Sequence, residues 1–166
     1  VVNGHENSYG GFNMPAVSFH DNVASNSITA GFITDSGVNG SVHFDFNQII
    51  APGKYGVLVG GTHTYNNFEF SWNNFALQNA GAIGIFFQGN VLGASVARNN
   101  ITAPGPLSGG KGIHFAGANS GDKFEFNQIA GPLSNDSPAG NCAFSNWNQL
   151  GVQLANFPNT QTVPCF

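Results

Sequence analysis

The stretch Gly84-Ile85-Phe86-Phe87-Gln88-Gly89, followed ten residues later by Asn99-Asn100-Ile101, decides the fold because near-copies of it lie on both sides. The copy before it starts at Gly56 and reads Gly-Val-Leu-Val-Gly-Gly; the copy after it starts at Gly112 and reads Gly-Ile-His-Phe-Ala-Gly. The three copies begin 28 residues apart. A fixed period of this length predicts a solenoid, in which each repeat buries its apolar side by stacking on its neighbours.

A second mark, Asn-x-apolar, extends the repeat beyond the three central copies. It occurs six times, at Asn26-Ser27-Ile28, Asn47-Gln48-Ile49, Asn73-Asn74-Phe75, Asn99-Asn100-Ile101, Asn127-Gln128-Ile129 and Asn148-Gln149-Leu150. We therefore expect about six coils, with the last residue of each mark pointing inward. Asn tolerates the left-handed backbone of a sharp bend, and stacked amides can hydrogen-bond from coil to coil. The sequence predicts each Asn at a corner.

The residues before each central mark alternate with a period of two, which is the period of a β-strand. Val42, Phe44 and Phe46 lie on one face of the first such segment, opposite His43 and Asp45. The same alternation predicts that Trp72 and Phe126 also point inward. Arg98 occupies the slot of these aromatic residues, and either a bulge turns it outward or it marks a site.

Composition limits the class of protein. Charged residues make up only 7% of the 166 residues, but Phe, Ile and Val are too abundant for a disordered chain. Four basic residues against eight acidic ones leave no basic surface for phosphates. We therefore expect no nucleic-acid partner. We also expect no membrane-spanning helix and no binding to an anionic membrane surface.

The two cysteines, Cys142 and Cys165, have no metal-ligand spacing. We expect them to form a disulfide worth roughly 3 to 4 kcal/mol by loop entropy, with two free buried thiols as the alternative. Few charges and a cysteine pair favour an extracellular location. The chain starts at Val1-Val2 without a signal-peptide pattern. We expect one β-helix domain over 1–166, with 142–166 as a C-terminal capping segment.

These repeats resemble the right-handed parallel β-helix of the pectin-lyase-like superfamily, whose repeat reads roughly Gly-Ile-x-apolar-x-Gly, a turn, then apolar-x-x-Asn-x-Ile. The resemblance covers about residues 16–150 and implies an all-β solenoid. The superfamily includes polysaccharide lyases, glycoside hydrolases, phage tailspikes, adhesins and inert stalks, so the fold alone does not imply activity. The catalytic motifs of its polygalacturonases and the calcium site of its pectate lyases are absent from this sequence.

Outward positions supply a first candidate site. Asp45 and Glu69 are expected one rung apart and two residues offset, at about 8 Å by strand geometry. The carboxylates of inverting glycoside hydrolases lie roughly 6.5 to 9.5 Å apart. His43 would lie beside Glu69. An ordinary polar strand face is the simpler interpretation of all three.

A second outward column, Leu58, Phe86 and His114, is a candidate ligand-binding stripe, although loops that cover it would explain it equally well. Glycosylation sequons occur at Asn39, Asn100 and Asn135. The five His residues are scattered without metal-ligand spacing, so we expect no metal and no cofactor.

The sequence favours a secreted, non-catalytic β-helix with a structural or adhesive role, which binds glycans or associates with itself, possibly head to tail as a filament. Self-association is expected because the terminal coils lack the charged caps that protect a solenoid's ends. The alternatives are a polysaccharide-degrading enzyme that uses Asp45, Glu69 and His43, or a fragment of a phage tailspike.

Overall fold

The computed structural model describes residues 16–34, 41–60, 64–105, 110–130, 133–135, 141–153 and 164–165. The chain folds as an all-β parallel solenoid, as predicted, and the described residues contain no helix. Each winding contributes strands to up to four parallel sheets, here named A to D. In every described winding two residues connect the sheet A strand to the sheet B strand.

Sheet A has six strands, in the order β1 (Ala16–His20), β4 (Ser41–Asp45), β8 (Phe68–Ser71), β12 (Ser95–Ala97), β16 (Lys123–Glu125) and β19 (Cys142–Phe144). Sheet B has six, in the order β2 (Val23–Ser25), β5 (Gln48–Ile50), β9 (Asn74–Ala76), β13 (Asn100–Thr102), β17 (Gln128–Ile129) and β20 (Trp147–Asn148). Sheet C has five, namely β3 (Ala30–Thr34), β6 (Tyr55–Val59), β10 (Ile83–Phe87), β14 (Lys111–Phe115) and β18 (Leu133–Asn135). Sheet D has three, namely β7 (Thr64–Asn66), β11 (Asn90–Leu92) and β15 (Asn119–Ser120).

Three windings carry all four strands, two carry three, and the last described winding carries only β19 and β20. The number of complete turns is therefore somewhat smaller than the six coils predicted. The coil between Asn127 and its equivalent Asn146 is shorter than the central ones, because 19 residues separate these two asparagines where 26 or 28 separate the central equivalents.

The predicted inward columns of the central coils are confirmed. Strand register aligns Val57 with Ile85 and Ile113, and Val59 with Phe87 and Phe115. It also aligns Ile49, Phe75, Ile101 and Ile129 in one file through sheet B, and each of the four has zero exposure. Because equivalent residues share one interior, each apolar side chain is buried by the coils above and below it.

The ends of this file differ from the prediction. Ala24, not Ile28, pairs with Ile49, and Ile28 is 91% exposed. At the other end Asn148 pairs with Ile129, while Leu150 is 83% exposed. In both terminal coils the Asn-x-apolar mark was assigned to the wrong residues. The residue that occupies its third position is small at one end, Ala24, and polar at the other, Asn148.

A buried asparagine ladder connects sheets A and B. Its members are Asn22, Asn47, Asn73, Asn99, Asn127 and Asn146, which accept and donate from coil to coil. In each interior member the backbone N–H and the side-chain Nδ2 both donate to Oδ1 of the next Asn, at 2.8 to 3.1 Å. Nδ2 also donates to a sheet A carbonyl of the preceding coil, as from Asn73 to Phe44 at 2.6 Å. Rung-to-rung amide bonding is thus confirmed.

A shorter polar ladder lies where sheet D leads into sheet A. The Asn141 side chain accepts from the Asp122 amide at 3.0 Å, and Asp122 Oδ1 accepts from the Ala94 amide at 2.7 Å. Asp122 has zero exposure, and its Oδ2 has no hydrogen-bond partner among the described residues. Burial raises the pKa of its carboxyl from 3.8 to about 7, although hydrogen bonds from Ala94 and Gly93 act to lower it.

The predicted disulfide is present. Cys142 and Cys165 are bonded, with their Cα atoms 5.9 Å apart. The Cys165 amide also donates to Glu125 Oε1 at 2.7 Å, so two contacts hold Cys165 against the outward face of sheet A. The extracellular location inferred from this pair stays a prediction.

Candidate functional site

The strongest candidate site is a column of exposed side chains at the corner between sheets A and B. Its members are Phe46, Trp72, Arg98 and Phe126, and we call this column the corner ridge. Each member follows a sheet A strand directly and precedes a residue of the asparagine ladder. The amide of each donates to a carbonyl of the next coil, at 3.0 to 3.2 Å.

The backbone of the corner ridge is left-handed, with φ of 54°, 58°, 56° and 55° in chain order. The prediction that Phe46, Trp72 and Phe126 point inward is therefore wrong. A left-handed residue turns the chain and breaks the period of two, so the side chain that would continue the inward series points outward. Phe46 is 59% exposed, Trp72 53% and Phe126 42%.

Arg98 follows the same geometry as the aromatic members, so no bulge is needed to turn it outward. Its Cζ lies 5.3 Å from the ring centroid of Trp72 and 5.3 Å from that of Phe126. The rings of Phe46 and Trp72 are nearly parallel, at 3°, with centroids 6.2 Å apart. The four side chains thus form a continuous stack along the solenoid.

Folding stability alone does not explain these residue types. Glycine and asparagine adopt the left-handed region readily, whereas a bulky residue there is an outlier that costs on the order of 1 to 3 kcal/mol. The ring and guanidinium contacts return roughly 0.5 to 1.5 kcal/mol each at exposed positions. Large aromatic side chains that are both strained and exposed indicate a contact surface for another molecule.

Polar columns flank the corner ridge on both sides. On sheet B the outward residues are amides at successive rungs, namely Gln48, Asn74, Asn100 and Gln128. Asn100 Nδ2 donates to Asn74 Oδ1 at 3.2 Å, so neighbouring rungs of this column are also linked. On sheet A the flanking column is Asp45, Ser71, Ala97 and Glu125.

The three residues predicted as a catalytic group lie on this outward face of sheet A, in the predicted register. His43 Nδ1 and Glu69 Oε2 are hydrogen-bonded at 2.9 Å, and both side chains are close to half exposed. Asp45 Oδ1 accepts from Ser71 Oγ at 2.5 Å. Each carboxylate therefore has its own neighbour across the strands, an arrangement that an outward polar face forms without any catalytic role.

The second predicted stripe, Leu58, Phe86 and His114, is aligned across sheet C, and all three residues are half-buried. The rings of Phe86 and His114 stack at 4.9 Å, and Tyr55 stacks on Phe86 at 5.2 Å. This stripe presents less apolar surface than the corner ridge. Its role as a ligand site stays a prediction.

The sequons differ in what the structure describes of them. Asn39 lies outside the described residues, and Asn135 ends β18. The Asn100 amide donates within sheet B, and Thr102 Oγ1 donates to the Phe75 carbonyl at 3.1 Å. No group of three or more His, Cys, Asp or Glu within the described ranges is placed to hold a metal, and no helix there is long and apolar enough to cross a membrane.

Comparison of the chain with models of known protein families, with curated proteins and with solved structures gave no match. The strand register establishes the parallel solenoid, and the likeness to the pectin-lyase-like superfamily is a resemblance of the sequence repeat.

Proposed function

We propose that this protein is a secreted, non-catalytic β-helix that binds a linear glycan along the corner ridge and has a structural or adhesive role. The observation that carries the proposal is the exposed stack of Phe46, Trp72, Arg98 and Phe126 on a strained backbone. Aromatic side chains offer apolar surface to the C–H groups of a sugar ring, while amides and carboxylates beside them can bind its hydroxyls.

Periodicity supports a polymeric ligand. Equivalent residues on adjacent coils are about 4.8 Å apart. The ridge therefore presents flat side chains, and the sheet B column presents amides, at this constant spacing over about 14 Å. The spacing of about 4.8 Å between coils is close to the length of one sugar unit in an extended glycan. A ligand that repeats can therefore make the same contacts at each rung.

The proposal is tested by binding isotherms for soluble linear glycans with two variants. Trp72→Asn removes an exposed ring and leaves a residue that suits the left-handed backbone, so the fold is retained. Leu92→Asn is the control, because Leu92 is 38% exposed on sheet D, away from the ridge. We expect Trp72→Asn to weaken binding about tenfold, equal to roughly 1.4 kcal/mol, and Leu92→Asn to change it less than twofold. Equal affinity of both variants would contradict the proposal.

The enzyme alternative is supported by the contact of His43 with Glu69 beside Asp45. It predicts release of new reducing ends or unsaturated products from a polysaccharide. Asp45→Asn and Glu69→Gln would each abolish that release if the alternative is correct.

Head-to-tail association and the tailspike alternative concern the terminal coils, of which residues 1–15 and 154–163 lie outside the described residues. Sedimentation distinguishes them, because a filament gives a concentration-dependent series and a tailspike a stable trimer. A compact monomer at all concentrations would exclude both.

A further inference from the structure

Arg98 is the one charged member of the corner ridge. Its guanidinium carries the one positive charge of the stack, held between Trp72 and Phe126. Among the described residues the ion pairs are those of His20 with Asp21 and His43 with Glu69, so no carboxylate there is within ion-pair distance of Arg98. Two roles are open to it: binding an anionic group of the ligand, or continuing the stack as a flat π system.

The charges around the ridge discriminate between these roles. Asp21 occupies the ridge position in the first coil, with φ of 56°, and is exposed. Asp45, Glu69 and Glu125 lie on the adjacent face of sheet A, and Lys123 is the one lysine within the described strands of that sheet. This side of the solenoid therefore carries four carboxylates against one arginine, one lysine and two histidines, and each histidine contacts one of these carboxylates.

An acidic polysaccharide would place a negative charge at every sugar unit along such a surface. It would meet one guanidinium on the ridge and several carboxylates on the adjacent strand face. The opposite flank offers only neutral groups, the amides of Gln48, Asn74, Asn100 and Gln128. Neutral hydroxyls can be bound on both flanks, whereas carboxylate or sulfate groups are repelled on one.

We infer that the corner ridge selects a neutral linear polysaccharide, with Arg98 acting as a flat stacking member of the ridge and not as an anion receptor. This inference rests on the proposed glycan-binding function and names its ligand class. It also predicts that affinity increases with oligosaccharide length until the chain spans Phe46 to Phe126. Longer chains then gain no further contacts on the ridge.

The test compares Arg98→Phe with Arg98→Gln. Phe is compatible with this backbone because Phe46 and Phe126 adopt the same conformation at equivalent positions. It restores a flat π surface without charge, whereas Gln removes both the π system and the charge. Binding is measured with linear gluco-oligosaccharides of increasing length and with oligogalacturonates of equal length, at low and high salt.

We expect Arg98→Phe to bind the neutral oligosaccharides within about threefold of the wild type, Arg98→Gln to lose about tenfold, and salt to have no effect on the neutral series. Tighter binding of oligogalacturonates that is lost equally in both variants would overturn the inference but retain glycan binding. Absence of binding to either series, or binding insensitive to Trp72→Asn, would overturn the proposed function itself.

Discussion

At the scale of single residues, the asparagine ladder explains why one amide side chain recurs in every coil. Oδ1 of Asn73 accepts from both the backbone and the side chain of Asn47, while its Nδ2 donates to Asn99 and to the Phe44 carbonyl. Aspartate lacks the donor, and alanine lacks both groups. The ladder thus satisfies corner amides that no strand partner reaches.

Loss of one ladder residue should therefore be costly. Asn73→Ala leaves the buried Asn47 amide without its acceptor, and we expect a loss of at least about 3 kcal/mol in the free energy of unfolding, measured in urea. Asn74→Ala is the matched control, because Asn74 is the next residue in the chain and is exposed. It should change the free energy of unfolding by less than about 0.5 kcal/mol. Equal losses would show that the ladder contributes nothing specific.

Asp122 makes stability depend on pH in a known direction. Its pKa is raised from 3.8 to about 7 in the folded protein, mainly by burial, so the folded state binds the proton more tightly than the unfolded state. This contribution to stability is complete below about pH 4 and is lost as the pH rises to about 7.

Asp122→Asn removes this titration. At pH 8 we expect the variant to be more stable than the wild type by up to about 4 kcal/mol, since each pKa unit corresponds to about 1.4 kcal/mol, and near pH 4 the two should be similar. Urea unfolding of both proteins between pH 4 and pH 8 measures this difference in stability. The other carboxylates titrate in both proteins, so their contributions cancel in the comparison. A difference that does not vary with pH would contradict the assignment.

At the scale of elements, much of each coil could be predicted from the sequence and the corner could not. Period-two alternation predicted the strands and their inward residues, but it continued through Phe46, where the strand ends. Phe44 points inward, and so do Asn47 and Ile49. The inward positions thus change from even to odd residue numbers between Phe44 and Asn47, and this change is the sequence signal for the corner. Alternation alone does not reveal it, because bulky residues such as Phe46 rarely adopt a left-handed backbone.

Glycine recurs in sheet C because a side chain at these positions would collide with the neighbouring coil. A Cβ on Gly84 would lie 2.5 Å from the Gly112 carbonyl oxygen and 2.9 Å from the Ile101 side chain, whereas one on Gly81 would meet nothing within 4 Å. Glycine therefore allows a sheet C strand to lie close to the backbone of the next coil and to the inward side chains of sheet B.

Gly84→Ala should therefore lower the free energy of unfolding by at least about 2 kcal/mol, because a backbone oxygen cannot move aside as a side chain can. Gly81→Ala tests the same substitution in an open turn and should change it by less than about 1 kcal/mol. Thermal unfolding of the two variants measures the difference. Similar melting temperatures would show that the glycine column is not set by close packing.

At the scale of the whole molecule, the sequence predicted the solenoid and the disulfide, but its candidate sites lie on other surfaces than the corner ridge proposed here to bind a glycan. The repeat fixed the register, so His43, Glu69, Leu58, Phe86 and His114 lie where they were expected. It assigned the ridge residues to the core, because hydrophobicity alone does not distinguish a buried column from an exposed one. The exposed ridge follows from backbone geometry, which repeats as regularly as the sequence does.

The most direct test of this account is the fluorescence of Trp72 in a Trp147→Phe variant, which leaves it as the only tryptophan of the chain. Because Trp72 is 53% exposed on the corner ridge, its emission should be red-shifted, close to that of indole in water, and should be quenched efficiently by acrylamide in the folded protein. A blue-shifted emission that acrylamide quenches only after unfolding would place Trp72 in the interior and contradict the corner ridge.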